Sequence, residues 1–104
     1  MPNRYYVRKF LNRPGHHGGA YVLASVEDTS ESSDASDSAF ADFELADCFR
    51  HVGLDFPLRS VADRKNSLAK ARLLAEVTAR FLEALEVEAE LADRRSKRSG
   101  ASNS

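Results

Sequence analysis

Between Pro57 and Gly100 the chain has neither glycine nor proline, and its apolar residues recur at three- and four-residue steps. Leu74, Val77, Phe81 and Leu85 mark the stripe, flanked by Ala71, Leu82 and Ala84. Arg72, Glu76, Glu83, Glu86 and Glu90 fall on the other side. This spacing predicts one amphipathic helix from Val61 to about Asp93. Ser60, three residues before Asp63, resembles a capping box with aspartate in place of glutamate.

Such a helix constrains everything before it. Roughly 33 residues make a rod about 50 Å long at 1.5 Å per residue. A strand of about eight residues reaches only about 27 Å. The apolar stripe continues through Leu85 and Val87 to Leu91, so the helix outruns any sheet the chain can build. An uncovered stripe is unfavourable, and the simplest remedy is a second copy related by a two-fold axis. Leu85 and Leu91 are the expected oligomer contacts, and a homodimer is the expected state.

The first half reads as strands. "RYYVRKFL" (4–11) is rich in aromatic and β-branched residues. In "AYVLASVED" (20–28) every even position through Val26 is apolar, as in a half-buried strand. Between them, "NRPGHHGG" reads as a hairpin connection. Pro14 and Gly15 start the turn, and Gly18 and Gly19 permit positive φ. Apolar residues return over 40–58. Phe43 and Leu45 are in one phase, and Val52, Leu54, Phe56 and Leu58 are in the other. The phase change near 47–51 favours two strands joined by a tight turn over one bulged strand. Gly53 and Pro57 suit an edge position for the last strand.

The stretch 29–38, "TSESSDASDS", has no large apolar residue and is expected to be a mobile acidic loop. Residues 94–104 are expected to form a disordered basic tail. The expected fold is α+β: a four-stranded antiparallel sheet of two hairpins, with one long C-terminal helix packed on one face. Residues 1–93 form a single domain in this reading. Phe43, Leu45, Leu54, Phe56, Leu74, Val77, Phe81 and Leu85 are its expected core. A chain of 104 residues, with roughly 75 to 80 left to order once polar low-complexity stretches are set aside, has a thin core. At that size small folds lean on disulfides, metals or a second subunit. Cys48 is the only cysteine, so no disulfide closes within the chain. A lone thiol, no apolar leader and no long apolar run fit a soluble, cytoplasmic protein without membrane contact.

Candidate chemistry is sparse. No phosphate-binding glycine pattern, nucleophile elbow or kinase-type motif is present. Cys48 and His51 have plausible ligand spacing, but the remaining imidazoles, His16 and His17, are adjacent and point oppositely in extended backbone. Neither an enzyme, a metal site nor a cofactor is expected.

Charge is arranged in blocks although the net charge is −1. Residues 1–26 hold Arg4, Arg8, Lys9 and Arg13 and no acid, while 27–47 hold eight acids and no base. Arg4, Tyr6, Arg8, Lys9, Arg13, His16 and His17 are therefore the candidate contacts for a partner or a nucleic acid. Basic and aromatic groups interleaved on a hairpin suit single-stranded nucleic acid. Over roughly residues 4–90, the order of four antiparallel strands then a helix resembles the Whirly and transcriptional-coactivator type of single-stranded-DNA-binding fold. The acidic block would repel phosphate. The favoured function is a non-catalytic protein–protein interaction module, in the style of accessory or inhibitory factors of phages and mobile elements. Single-stranded nucleic-acid binding is the alternative.

Overall fold

The computed structural model describes residues 3–16, 18–30 and 41–98. It has four strands and one long helix: β1 (Asn3–Phe10), β2 (Tyr21–Glu27), β3 (Ala41–Asp47), β4 (Arg50–Asp55) and α1 (Val61–Arg98). The strands form one open antiparallel sheet in the order β1-β2-β3-β4. The fold is α+β. Most of the expected acidic loop lies outside the described residues, as do His17 and residues 99–104 of the expected tail. The chain divides into two compact units, Met1–Lys70 and Ala71–Ser104.

In the first unit, two hairpins set the register. Arg13–Pro14–Gly15–His16 closes a turn in which the His16 N–H donates to the Arg13 carbonyl (3.1 Å). Proline at the second position and φ of +97° at Gly15 are the pattern of a type II turn. Positive φ falls at Gly15. The second hairpin is tight, with Asp47 opposite Arg50 and only Cys48 and Phe49 between. The two strands inferred over 40–58 are thus both present. Cys48 has φ of +59°, at the turn position where glycine is usual in a type II′ hairpin. Its N–H donates to the Gly19 carbonyl (3.0 Å), which ties this turn to the end of the first hairpin's connection.

Helix α1 starts where the sequence predicts. Ser60 Oγ accepts from the Asp63 N–H (3.0 Å), the capping bond that the Ser60–Asp63 spacing implied. The preceding segment is fastened to the first turns of the helix. Ser67 Oγ donates to the Pro57 carbonyl (2.7 Å), and Arg64 donates to the Leu58 carbonyl (3.0 Å). Lys70 Nζ donates to the Asp55 carbonyl (2.6 Å) and lies 4.9 Å from the centre of the Phe56 ring. Ser67 is only 3% exposed.

In the second unit α1 continues to Arg98, five residues past the expected end. Arg94 pairs with Glu90 at 3.1 Å, and Arg95, Lys97 and Arg98 sit where positive charge complements the helix dipole. The basic composition that suggested fraying instead suits a helix C-terminus.

The expected core is only partly formed. Phe43, Leu45, Leu54, Phe56 and Leu74 are half-buried. Val77, Phe81 and Leu85 are 57%, 65% and 51% exposed. These three expected core positions are therefore exposed. Periodicity shows which residues share a face, but it does not show what covers that face. Among the described residues the buried apolar side chains are Ala20 and Ala46, both small.

Two stability measurements follow from these details. Ser67→Ala leaves the Pro57 carbonyl without its buried donor and should cost about 1 to 2 kcal/mol in urea unfolding. Cys48→Gly relieves the left-handed backbone and should gain about 1 kcal/mol. A loss of stability in Cys48→Gly would mean that the thiol side chain contributes more than the backbone strain costs.

Candidate functional site

Strand register assigns the sheet residues to two faces. One face carries the rows Val7–Ala24–Phe43–Leu54 and Lys9–Val22–Leu45–Val52. These rows are apolar apart from Lys9, and the hairpin pair Asp47–Arg50 falls on the same face. The opposite face carries Tyr6, Arg8 and Phe10 from β1, Tyr21, Leu23 and Ser25 from β2, Asp42, Glu44 and Ala46 from β3, and His51, Gly53 and Asp55 from β4. This mixed face holds most of the chemistry.

Its side chains are linked across three strands. The Arg8 guanidinium lies 5.4 Å from the Phe10 ring centre and 5.3 Å from that of Tyr21, within cation–π range. The Tyr21 hydroxyl donates to Glu44 Oε2 (3.2 Å). His51 Nδ1 stands 3.6 Å from the same oxygen. The hydroxyl of Tyr21 is harder to ionise than usual, because it is half-buried and because the charge and hydrogen bond of Glu44 both favour the neutral phenol. Farther along this face Asp42 sits directly opposite Asp55, and its Oδ1 is buried without a hydrogen-bond partner. Like charges facing each other across a ladder are unfavourable.

The candidate contact residues are not brought together. Tyr6 and Arg8 share the mixed face, and both are exposed. Lys9 lies on the apolar face. Arg4 sits in an irregular step of β1, where its guanidinium donates to Asp28 Oδ1 (2.9 Å). The Asp28 carboxyl is held below the usual carboxylate range, first by the Ser30 backbone N–H and then by the Ser30 side chain, with Arg4 adding to both. Arg13 and His16 are exposed in the connecting turn. Leu85 is exposed on the helix and Leu91 is half-buried. The basic residues of the first hairpin are therefore dispersed over two faces and a loop, and two of them already have partners within the chain.

Sequence reasoning missed one feature. At the end of the sheet Leu11, Ala20, Leu45, Arg50, His51 and Val52 line an open, apolar depression of about 490 Å³. Phe49, at the tip of the neighbouring hairpin, is fully exposed. The strand pattern held the apolar residues, but only the two-residue turn places them at one end. Cys48 is exposed in that turn. Among the described residues, no group of three His, Cys, Asp or Glu side chains is placed to hold a metal ion. No described helix is long and apolar enough to cross a membrane.

The tyrosine linkage has a spectroscopic signature. Its folded-state pKa is raised, so the stabilisation is present below the ordinary tyrosine value near 10 and is lost as pH rises through the folded value. Phenolate absorbance should show a late ionisation step that disappears in Tyr21→Phe and moves to lower pH in Glu44→Gln. An unchanged late step in Glu44→Gln would remove the carboxylate from this account. With the geometry in place, comparison with known proteins adds no assignment: no protein-family model, no curated protein and no solved structure matches the chain.

Proposed function

We propose that this protein is a non-catalytic protein–protein docking module that self-associates and uses the remaining apolar surface to hold another protein. One observation carries the reading. Among the described residues only Ala20 and Ala46 are buried apolar side chains, whereas Phe10, Leu11, Phe49, Val77, Phe81 and Leu85 are each more than half exposed. Scattered apolar side chains are ordinary on a surface. The exposed helical stripe and, separately, the apolar end of the sheet each fit surface awaiting a partner. The buried, unpartnered Asp42 oxygen supports the same reading, since a donor from a partner would satisfy it.

Single-stranded nucleic acid is the second reading, favoured by the exposed Tyr6, Arg8 and Phe10 on one face. Against it, Glu44, Asp42 and Asp55 occupy the same face and oppose phosphate. Arg8 is also already engaged by two rings. The proposed module has no catalytic step and needs no cofactor. An accessory or inhibitory role, of the style found on phages and mobile elements, belongs to the proposal.

The two readings separate in one pair of assays. The docking module should capture a single protein at fixed stoichiometry, and Phe49→Ala or Phe81→Ala should reduce capture at least tenfold, as expected where an aromatic anchor dominates an interface. A nucleic-acid binder should instead retain labelled single strands at low salt, lose them steeply as salt rises and weaken in Arg8→Ala. Salt-sensitive retention without any protein captured would reverse the order of the two readings.

A further inference from the structure

We propose that the apolar depression at the end of the sheet is the seat of Phe49 from a second copy of this chain, the two copies exchanging Phe49 about a two-fold axis. This rests on the docking-module reading and names the occupant of its sheet surface.

The depression is built by residues that lie far apart in the sequence. Leu45 and Val52 face each other across β3 and β4, and Asp47 and Arg50 form the next pair on the same face. The Leu11 N–H donates to the Ala20 carbonyl (2.9 Å) and the Cys48 N–H to that of Gly19 (3.0 Å), so the ends of β1 and β2 are tied to the second hairpin. Ala20 is 5% exposed and too small to fill the space, while Leu11 and Val52 are 55% and 52% exposed. The result is a hole of about 490 Å³ with largely apolar walls, and Asp47 and Arg50 also line it.

Phe49 is the matching knob. It is fully exposed, so no side chain of its own chain covers it. Nothing in its turn calls for an aromatic ring, since two-residue hairpin turns favour glycine, asparagine and aspartate. An uncovered ring and an unfilled apolar hole are each unfavourable in water, and one contact relieves both.

Charge selects a second copy as the source of that ring. Asp47 and Arg50 flank the turn that carries Phe49, and among the described residues neither makes a salt bridge within its own chain. A two-fold axis running along the hairpin between β3 and β4 sets Asp47 of each copy against Arg50 of the other. The same axis carries each Phe49, which adjoins β4, to the β3 side of the other copy, where Ala20 leaves space. Both charges are then paired and both rings covered in a closed assembly. An unrelated protein would have to present a ring, an acid and a base in the same spacing, whereas a second copy carries all three already.

The test combines mass, truncation and charge reversal. Light scattering of the full chain at about 100 micromolar should give twice the mass of the single chain. Phe49→Ala should raise the dimer dissociation constant at least tenfold, as should Leu11→Glu, which spoils the hole instead of the knob. Both side chains are exposed, and if one variant does not fold the other carries the test. Asp47→Arg and Arg50→Asp should each weaken the dimer, and mixing the two should restore a pair containing one of each. The double exchange of Asp47→Arg with Arg50→Asp should dimerise like the wild type. Single reversals without effect overturn the two-fold exchange, because it cannot avoid bringing these charges together. A wild-type dimer indifferent to Phe49→Ala overturns the inference, and its loss in Leu85→Glu would place the interface on the helix. A monomer that captures another protein through Phe49 gives the hole to that partner and overturns the inference while the docking-module reading stands. A monomer that captures nothing overturns both.

Discussion

An apolar row on a sheet lowers the free energy of folding only to the extent that water is removed from it. Every other property of this chain follows from how little of that removal it achieves alone. The rows Val7–Ala24–Phe43–Leu54 and Lys9–Val22–Leu45–Val52 are aligned by backbone hydrogen bonds and half-covered by neighbouring side chains. No large side chain among the described residues reaches full burial. The ladder therefore supplies order and register, while much of the apolar surface stays in contact with water.

Much of this was legible in the residues. Alternation in 20–26 and the phase change near Asp47 identified the strands, because a period of two cannot be mistaken for a helix when the phases disagree on either side of a turn. Ser60 announced the start of the helix through a hydroxyl placed three residues before an amide that needs an acceptor. Two things were not legible. Val77, Phe81 and Leu85 share a face by spacing, yet spacing holds no information about what lies against that face. The positive φ of Cys48 was also invisible, since the tight register of β3 on β4 imposes it on a residue with no preference for it.

The mixed face shows why charge blocks along a sequence mislead about function. The basic hairpin and the acidic segment become neighbouring strands, so Arg8, Tyr21, Glu44 and His51 form one connected group. Much of the apparent positive platform is neutralised at home. Alternation divides the rest, because Arg8 and Lys9 are consecutive and must point to opposite faces.

The strand order leaves β1 and β4 at the two margins of the sheet, where unpaired backbone groups invite further strands. β1 bears Arg4, Arg8 and Lys9, so a second β1 laid alongside would bring cation to cation. β4 is six residues long, contains Gly53 and is soon followed by Pro57, which offers no N–H to an incoming strand. Both margins thus discourage runaway stacking into ribbons. Uncovered apolar surface in this chain thus coexists with a sheet whose two borders are both guarded.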